Sequence, residues 1–227
     1  MDMTPYGLWS SMGVPARLVL FVMLAMLVGC LYVSFERAIA FVRARGQSRD
    51  LAAGVSRPMA AGDVGAALKQ AADEQFKASY LGAILRAGLG ELKVRLDEHG
   101  VEAAERAIER TLITETANLR KGMNILATTG STTPFVGLVG TIFGIINAFG
   151  KMSAAGGGDL TAVSGGIAEA LVSTAVGIVV AIIGVWLYNF FNAMIDDIVK
   201  DMTTSSQELL DWAKKEVLRR SETAAAK

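Results

Sequence analysis

Three long stretches of this sequence contain no charged side chain, and they limit the available folds more than any other feature. They cover residues 18–35, 122–150 and 170–195. About 20 apolar residues in a helix cross the hydrocarbon core of a bilayer, and a helix pairs its backbone polar groups internally. A composition of 52% hydrophobic and only 19% charged residues also favours a bilayer over water. The sequence therefore predicts an all-α integral membrane protein with three transmembrane helices.

Arginine and lysine residues collect on one side of these predicted spans. They follow the first span, precede the second and follow the third: Arg37, Arg43, Arg45, Arg49, Arg120, Lys121, Lys200, Lys214, Lys215, Arg219 and Arg220. Only Arg17 precedes the first span, unlike a secretory signal, whose charges come before its apolar core. Because basic flanks stay in the cytoplasm, we expect the N-terminus outside and the C-terminus in the cytoplasm.

These patterns divide the chain into seven predicted segments. They are a periplasmic N-terminus (1–16), transmembrane helix 1 (17–36), a cytoplasmic helical region (37–121), transmembrane helix 2 (122–150), a periplasmic loop (151–160), transmembrane helix 3 (161–195) and a cytoplasmic C-terminal helix and tail (196–227). The loop contains the flexible run Gly156-Gly157-Gly158.

The second and third spans are expected to be long and to extend into the cytoplasm. Because no proline or glycine interrupts residues 101–121, we expect that helix to run continuously into the second span. Apolar residues near helical spacing likewise continue the third helix: Ile198, Met202, Leu209, Leu210 and Val217. Shorter cytoplasmic helices are predicted over 64–76, capped by Gly62-Asp63, and over 78–96.

Several kinds of site are not indicated by the sequence. Lys and Arg balance Asp and Glu at 22 each, so no net charge favours a nucleic-acid partner. The single cysteine, Cys30, and the single histidine, His99, give no disulfide or metal pattern. No Ser-His-Asp, HExxH or phosphate-binding pattern is present. We therefore expect no catalytic residues, no metal and no cofactor, and a membrane enzyme is the weakest interpretation.

Glu169 lies inside predicted transmembrane helix 3, and a carboxylate at that depth costs at least a few kcal/mol unless it is paired, hydrated or protonated. One interpretation places Glu169 near the outer interface, hydrated, where it only fixes the depth of the helix. The other makes it a polar group that faces a channel or a partner. Glu216, in the C-terminal helix, is expected to be an exposed cytoplasmic residue suitable for comparison.

Small and polar residues form one stripe on each of the second and third spans. The stripes are Thr133, Gly137, Gly140, Thr141, Gly144 and Ala148, and Gly166, Glu169, Ala170, Ser173, Thr174, Gly177, Ala181 and Gly184. Helix packing alone explains such stripes, with Gly137, Gly140, Gly144 and Gly177 as packing residues. The alternative is a hydrated proton path. Thr141 and Thr174 would line it, together with the candidate pore-lining residues Thr133 and Ser173. In that case Glu169 carries the proton alone, or a second subunit supplies another acid.

Two sequence blocks resemble the ExbB/TolQ/MotA family of stator proteins. They are GSTTPFVGLVGTIFGIINAF at 130–149 and GIAEALVSTAVGIVVAIIGVWLYN at 166–189. The three predicted spans resemble the ExbB/TolQ branch, because MotA-like members have four. One departure is Ser164-Gly165-Gly166, where relatives often have a proline just before the glycine.

The resemblance implies a subunit of the bacterial inner membrane, five copies of which enclose two copies of an ExbD/TolR-like single-span protein. Proton flow to an aspartate of that partner would drive rotation and so mechanical work in uptake, envelope maintenance or gliding. Thr141 and Thr174 would be the pore hydroxyls beside that aspartate, and Glu169 the associated buried carboxylate. The competing hypothesis is a passive helical membrane scaffold that conducts no protons.

Overall fold

A computed structural model describes residues 12–154 and 160–225 of the chain. Its elements are α1 (Val14–Ala60), α2 (Val64–Ala71), a 3-10 turn (Glu74–Phe76), α3 (Tyr80–Val94), α4 (Glu98–Leu119), α5 (Met123–Ala154) and α6 (Leu160–Ala225). No strand occurs within these described ranges, and the predicted all-α class is confirmed. The predicted loop glycines 156–158 lie outside them.

Three of these helices, α1, α5 and α6, are long and apolar enough to cross a membrane, which confirms the predicted number of spans. Helix α6 has 66 residues and continues without a break far beyond residue 195. Ile198, Met202 and Leu209 in that extension are buried. The continuation of the third helix predicted from these apolar residues is therefore confirmed.

Side-chain caps start the short helices between α1 and α5. The Asp63 carboxylate accepts a hydrogen bond from the Ala66 amide at 2.9 Å, as the Gly62-Asp63 pair predicts. The helix predicted over 64–76 is nevertheless divided. Asp73 is itself a cap, accepting from the Gln75 amide at 3.0 Å, and it starts the separate 3-10 turn.

The prediction that residues 101–121 continue as a helix into the second span is wrong. Helix α4 ends at Leu119, where the Arg120 amide donates to the Thr116 carbonyl, and α5 begins at Met123. Gly122 between them has φ +82°, a left-handed backbone conformation. This conformation ends helices, and residues other than glycine rarely adopt it. Gly122 directly follows the helical pattern in the sequence, where a glycine is typical of a helix end.

The chain divides into two compact units. The first combines Met1–Phe35 with Gly122–Phe190, and the second combines Glu36–Lys121 with Phe191–Lys227. The first unit therefore holds the apolar parts of α1, α5 and α6. The second holds the helices predicted to be cytoplasmic.

In the second unit, helix α3 packs against α2 and α4. Gly88 lets the side chains of Leu209 and Ile108 pack closely against the backbone of α3. A methyl group at Gly88 would lie 2.7 Å from Leu209 and 2.9 Å from Ile108. The largest fully buried side chains of this unit form an apolar core: Phe41, Leu51, Ile84, Leu89, Leu92, Ile108, Ile195, Ile198 and Met202. Burial of this kind contributes about 1.5–3 kcal/mol per large side chain.

Glu216, expected to be exposed, is instead only 6% exposed. Its carboxylate accepts from Arg219 and from Arg220 at 2.8 Å, and Arg220 also donates to the Gly62 carbonyl at 3.2 Å. Hydrogen bonds from Arg219 hold the pKa of Glu216 well below its usual range, at about 2. The cluster therefore ties the C-terminal part of α6 to the turn that follows α1.

Glu216→Gln is expected to lower the free energy of unfolding by about 1–2 kcal/mol at pH 7, with the partial exposure of both arginines limiting the loss. The folded-state pKa is depressed to about 2 from an ordinary value of 4.5, so this stabilisation is complete above pH 4.5 and is lost as the pH falls toward 2. Thermal unfolding at pH 7 and pH 3 should show a melting difference that shrinks in acid. A difference that is unchanged at pH 3 would contradict this assignment.

Candidate functional site

Helices α5 and α6 of the first unit contact each other through glycine along their apolar length. A methyl group on Gly130 would lie 2.7 Å from the Val185 side chain, and one on Gly144 would lie 2.9 Å from Ala170 Cβ. Residue numbers rise on one helix as they fall on the other, so the helices run antiparallel. We call this contact the α5/α6 seam.

The predicted packing glycines lie in the seam. Gly137 and Gly177 contact each other, because a methyl group on Gly177 would lie 3.1 Å from Gly137 Cα. Helix α1 covers one side: a methyl group on Gly140 would lie 3.0 Å from Val19 Cγ1, and one on Gly177 would lie 3.3 Å from Met23 Sδ. Glycine permits this close approach of three helices.

Thr133 and Ser173, the candidate pore-lining residues, are buried inside this contact at 0% and 2% exposure. Thr133 donates to the Thr129 carbonyl and lies 4.0 Å from Met26 Sδ. Ser173 Oγ lies against Gly140 and has no hydrogen-bond partner among the described residues. Both residues therefore lie in the packing of these helices, and their role in lining a pore stays a prediction.

Thr141 and Thr174 are half-buried and lie at the edge of the seam. Thr174 Oγ1 donates across it to the Gly137 carbonyl at 3.3 Å, and Thr141 Oγ1 donates to the Leu138 carbonyl of its own helix at 2.7 Å. Thr141 follows Gly137 by one helical turn, about 6 Å along the axis. Each hydroxyl keeps lone pairs that can accept from water or from a protonated acid.

Glu169 is 5% exposed, and its Oε1 accepts a hydrogen bond from the Gly13 amide at 3.0 Å. Gly13 precedes α1 and its charge-free stretch, so the carboxylate lies level with the N-terminal end of the first span. This depth agrees with the interfacial interpretation of Glu169. Its burial does not, because the carboxylate is enclosed by protein within the chain itself.

The described residues include no group of three or more His, Cys, Asp and Glu side chains that could hold a metal ion. Cys30 is buried, and His99 is exposed beside Glu102 at 4.0 Å. Neither residue lies with Glu169, Thr141 or Thr174 in the contacts described above. Among the described residues, the half-buried hydroxyls of Thr141 and Thr174 and the buried carboxylate of Glu169 are the groups that this site offers for proton chemistry.

Gly177→Val is expected to lower the free energy of unfolding by about 1–3 kcal/mol through overpacking. The added side chain would meet the Thr133 carbonyl, 2.9 Å from the first methyl position, and backbone atoms cannot move away without separating the helices. Gly150→Val is the matched control, because nothing lies within 4 Å of that position. Thermal unfolding of the purified protein compares them, and equal melting temperatures would contradict the packed seam.

Residues 77–204 match the sequence profile of the MotA/TolQ/ExbB proton channel family. The chain belongs to the MotA/TolQ/ExbB family. The matched range contains both sequence blocks at 130–149 and 166–189, and thus Thr141, Glu169 and Thr174. The resemblance inferred from those blocks is confirmed.

Relatives of this MotA/TolQ/ExbB member come from two named groups. The biopolymer transport protein ExbB of Xanthomonas campestris (strain B100) is 40% identical over 111 residues, which are 49% of this chain and 44% of that protein. The Tol-Pal system protein TolQ of Pseudomonas aeruginosa is 31% identical over 209 residues, 89% of each chain. The ExbB of Pseudomonas putida is 28% identical over 218 residues, 92% of this chain and 63% of that protein.

The chain thus aligns with less than half the length of the Xanthomonas ExbB, and with most of the length of the Pseudomonas TolQ. These relatives support the ExbB/TolQ branch of the MotA/TolQ/ExbB family. Together with the three candidate spans they indicate a multi-pass inner-membrane protein. The roles of Thr141, Thr174 and Glu169 stay predictions, because a family match assigns no role to a residue.

Proposed function

We propose that this chain is the proton-channel subunit of a motor complex driven by the proton-motive force in the bacterial inner membrane. It couples proton flow to mechanical work on the cell envelope and is not an enzyme. The observation that carries this proposal is the pair of half-buried hydroxyls, Thr141 and Thr174, along one seam. The buried carboxylate of Glu169 lies on the same stripe of α6.

The proton path is shared with a second chain. Glu169 is the only carboxylate among the described residues of the first unit, and it lies at the level of the start of α1. We infer that a further acid beside Thr141 and Thr174 comes from a second chain. An ExbD/TolR-like single-span protein fits this need, with two copies enclosed by five copies of this chain.

The remaining features of the proposal follow from the basic flanks and from the choice of partner. The N-terminus is periplasmic and the C-terminus is cytoplasmic, the transported ion is the proton, and no cofactor or nucleic acid takes part. The partner selects uptake, envelope maintenance or gliding as the process driven. The relatives named for biopolymer transport and for the Tol-Pal system support work of this kind.

Proton entry into vesicles tests the shared path. Vesicles that carry this chain together with its single-span partner, sought in the adjacent reading frame, should take up protons down an imposed gradient. Vesicles that carry either chain alone should not, because each lacks part of the path. Equal flux with this chain alone would contradict a shared path, and no flux with both chains would support the scaffold.

The passive scaffold is the second candidate because one observation favours it. Glycines keep α5 and α6 at backbone contact, and both threonine hydroxyls have backbone acceptors within the chain. Such hydroxyls need no water to be satisfied. A scaffold would tolerate loss of these hydroxyls with its oligomer intact, whereas a proton path would not.

A further inference from the structure

A buried carboxylate needs hydrogen-bond donors, since an unpaired charge inside a protein is strongly destabilising. Glu169 is 5% exposed, and the Gly13 backbone amide donates to its Oε1 at 3.0 Å. The two residues are 156 positions apart, so the contact joins the start of α1 to α6 within the first unit. The first span therefore reaches the carboxylate although it contributes no side chain to the proposed proton path.

Gly13 occupies the position directly before the first residue of α1. Its carbonyl accepts from the Arg17 amide at 3.1 Å, which begins the hydrogen bonding of the helix. The N–H of Gly13 takes no part in the backbone hydrogen bonds of the helix and is available to another acceptor. The partial positive charge at a helix N-terminus also favours a carboxylate there.

We propose that Gly13 is a positioning residue whose backbone N–H holds the Glu169 carboxylate at the outer end of the α5/α6 seam. The inference rests on the proposed role of Glu169 in the proton path. A carboxylate accepts this hydrogen bond more strongly than a protonated carboxyl group does.

Three substitutions separate the N–H group from other effects at this position. Gly13→Pro removes the donor. Val14→Pro places the same ring one residue later, at the first helical position, where proline is well tolerated. Gly13→Ala keeps the donor and adds a methyl group 2.8 Å from Asn147 Nδ2, the end of a side chain that can rotate away.

Carbodiimide labelling of Glu169 in the assembled membrane complex gives the first readout. The reagent attacks protonated, accessible carboxyl groups, and Glu169→Gln supplies the blank. Loss of a hydrogen bond to a charged group should raise the labelling rate by about fivefold or more in Gly13→Pro. Val14→Pro and Gly13→Ala should match the wild type. Equal labelling in both proline variants would overturn the proposal.

Hydrogen exchange at the Gly13 amide tests the same contact without a change at Gly13. Glu169→Ala should speed exchange there about tenfold or more, whereas Glu169→Gln keeps an oxygen acceptor and should speed it less. Unchanged exchange in Glu169→Ala would overturn the proposal even if Gly13→Pro did not assemble. Neither readout measures proton flux. Failure of the positioning role is therefore distinguishable from failure of the proposed function.

Discussion

Thr174→Val and Thr141→Val are each expected to reduce proton-driven activity about tenfold or more, with the protein still assembled. Valine keeps the branched shape of threonine but lacks the hydroxyl, which can donate a hydrogen bond to water or to an acid and accept one from them. Thr174 Oγ1 donates to the Gly137 carbonyl at 3.3 Å, and that contact is a long hydrogen bond, so its loss should cost little stability. The measurement is proton-driven growth or uptake in cells whose own copy is replaced by each variant.

Hydroxyl-retaining and distant variants are the controls for this result. Thr174→Ser and Thr141→Ser keep the hydroxyl and should retain most activity. Thr114→Val removes an exposed hydroxyl in the second unit that donates to the Arg110 carbonyl at 2.9 Å, and it should have no effect. Full activity in both valine variants at the Thr141 and Thr174 positions would remove the hydroxyl path and favour the scaffold.

Glu169→Gln is expected to reduce proton-driven activity at least as much as Thr174→Val does, about tenfold or more. Glutamine keeps the shape and an acceptor oxygen but cannot exchange a proton. Glu169→Ala should in addition leave the Gly13 N–H without its acceptor and destabilise the protein by about 1–3 kcal/mol. Activity and melting temperature, measured on both variants, separate the proton role from the structural one.

Glu222→Gln is the proper comparison for Glu169, since Glu222 is exposed in the described structure. Glu216 is unsuitable, because it is buried against two arginines. Similar, mild effects of Glu169→Gln and Glu222→Gln on activity would support the interfacial interpretation, in which Glu169 only sets the depth of α6.

The fold could be predicted where a single chemical pattern dominates. The absence of charged residues predicts the three spans. The helical spacing of apolar residues predicts the continuation of α6, in which Ile198, Met202 and Leu209 are buried. The break at Gly122 was missed because one glycine at the edge of an apolar stretch is consistent with either a helix end or a helix interior. The burial of Glu216 was missed because its enclosure depends on Gly62, far away in sequence.

The site could be predicted only in part for a similar reason. The stripes of small residues predicted packing glycines, and these glycines lie in the contact between α5 and α6. They could not separate buried Thr133 and Ser173 from half-buried Thr141 and Thr174. That difference depends on how α1 covers one side of the seam through Val19, Met23 and Met26. The Gly13 amide donates from the backbone, so no residue type indicates it.

Proton flux through the purified complex in liposomes tests the central claim most directly. The complex of this chain with its single-span partner should carry protons down an imposed gradient, measured with a pH-sensitive dye inside the liposomes. The same complex with Thr141→Val and Thr174→Val together should assemble and carry about one tenth of that flux or less. Equal flux from the two complexes would contradict a proton path along the α5/α6 seam.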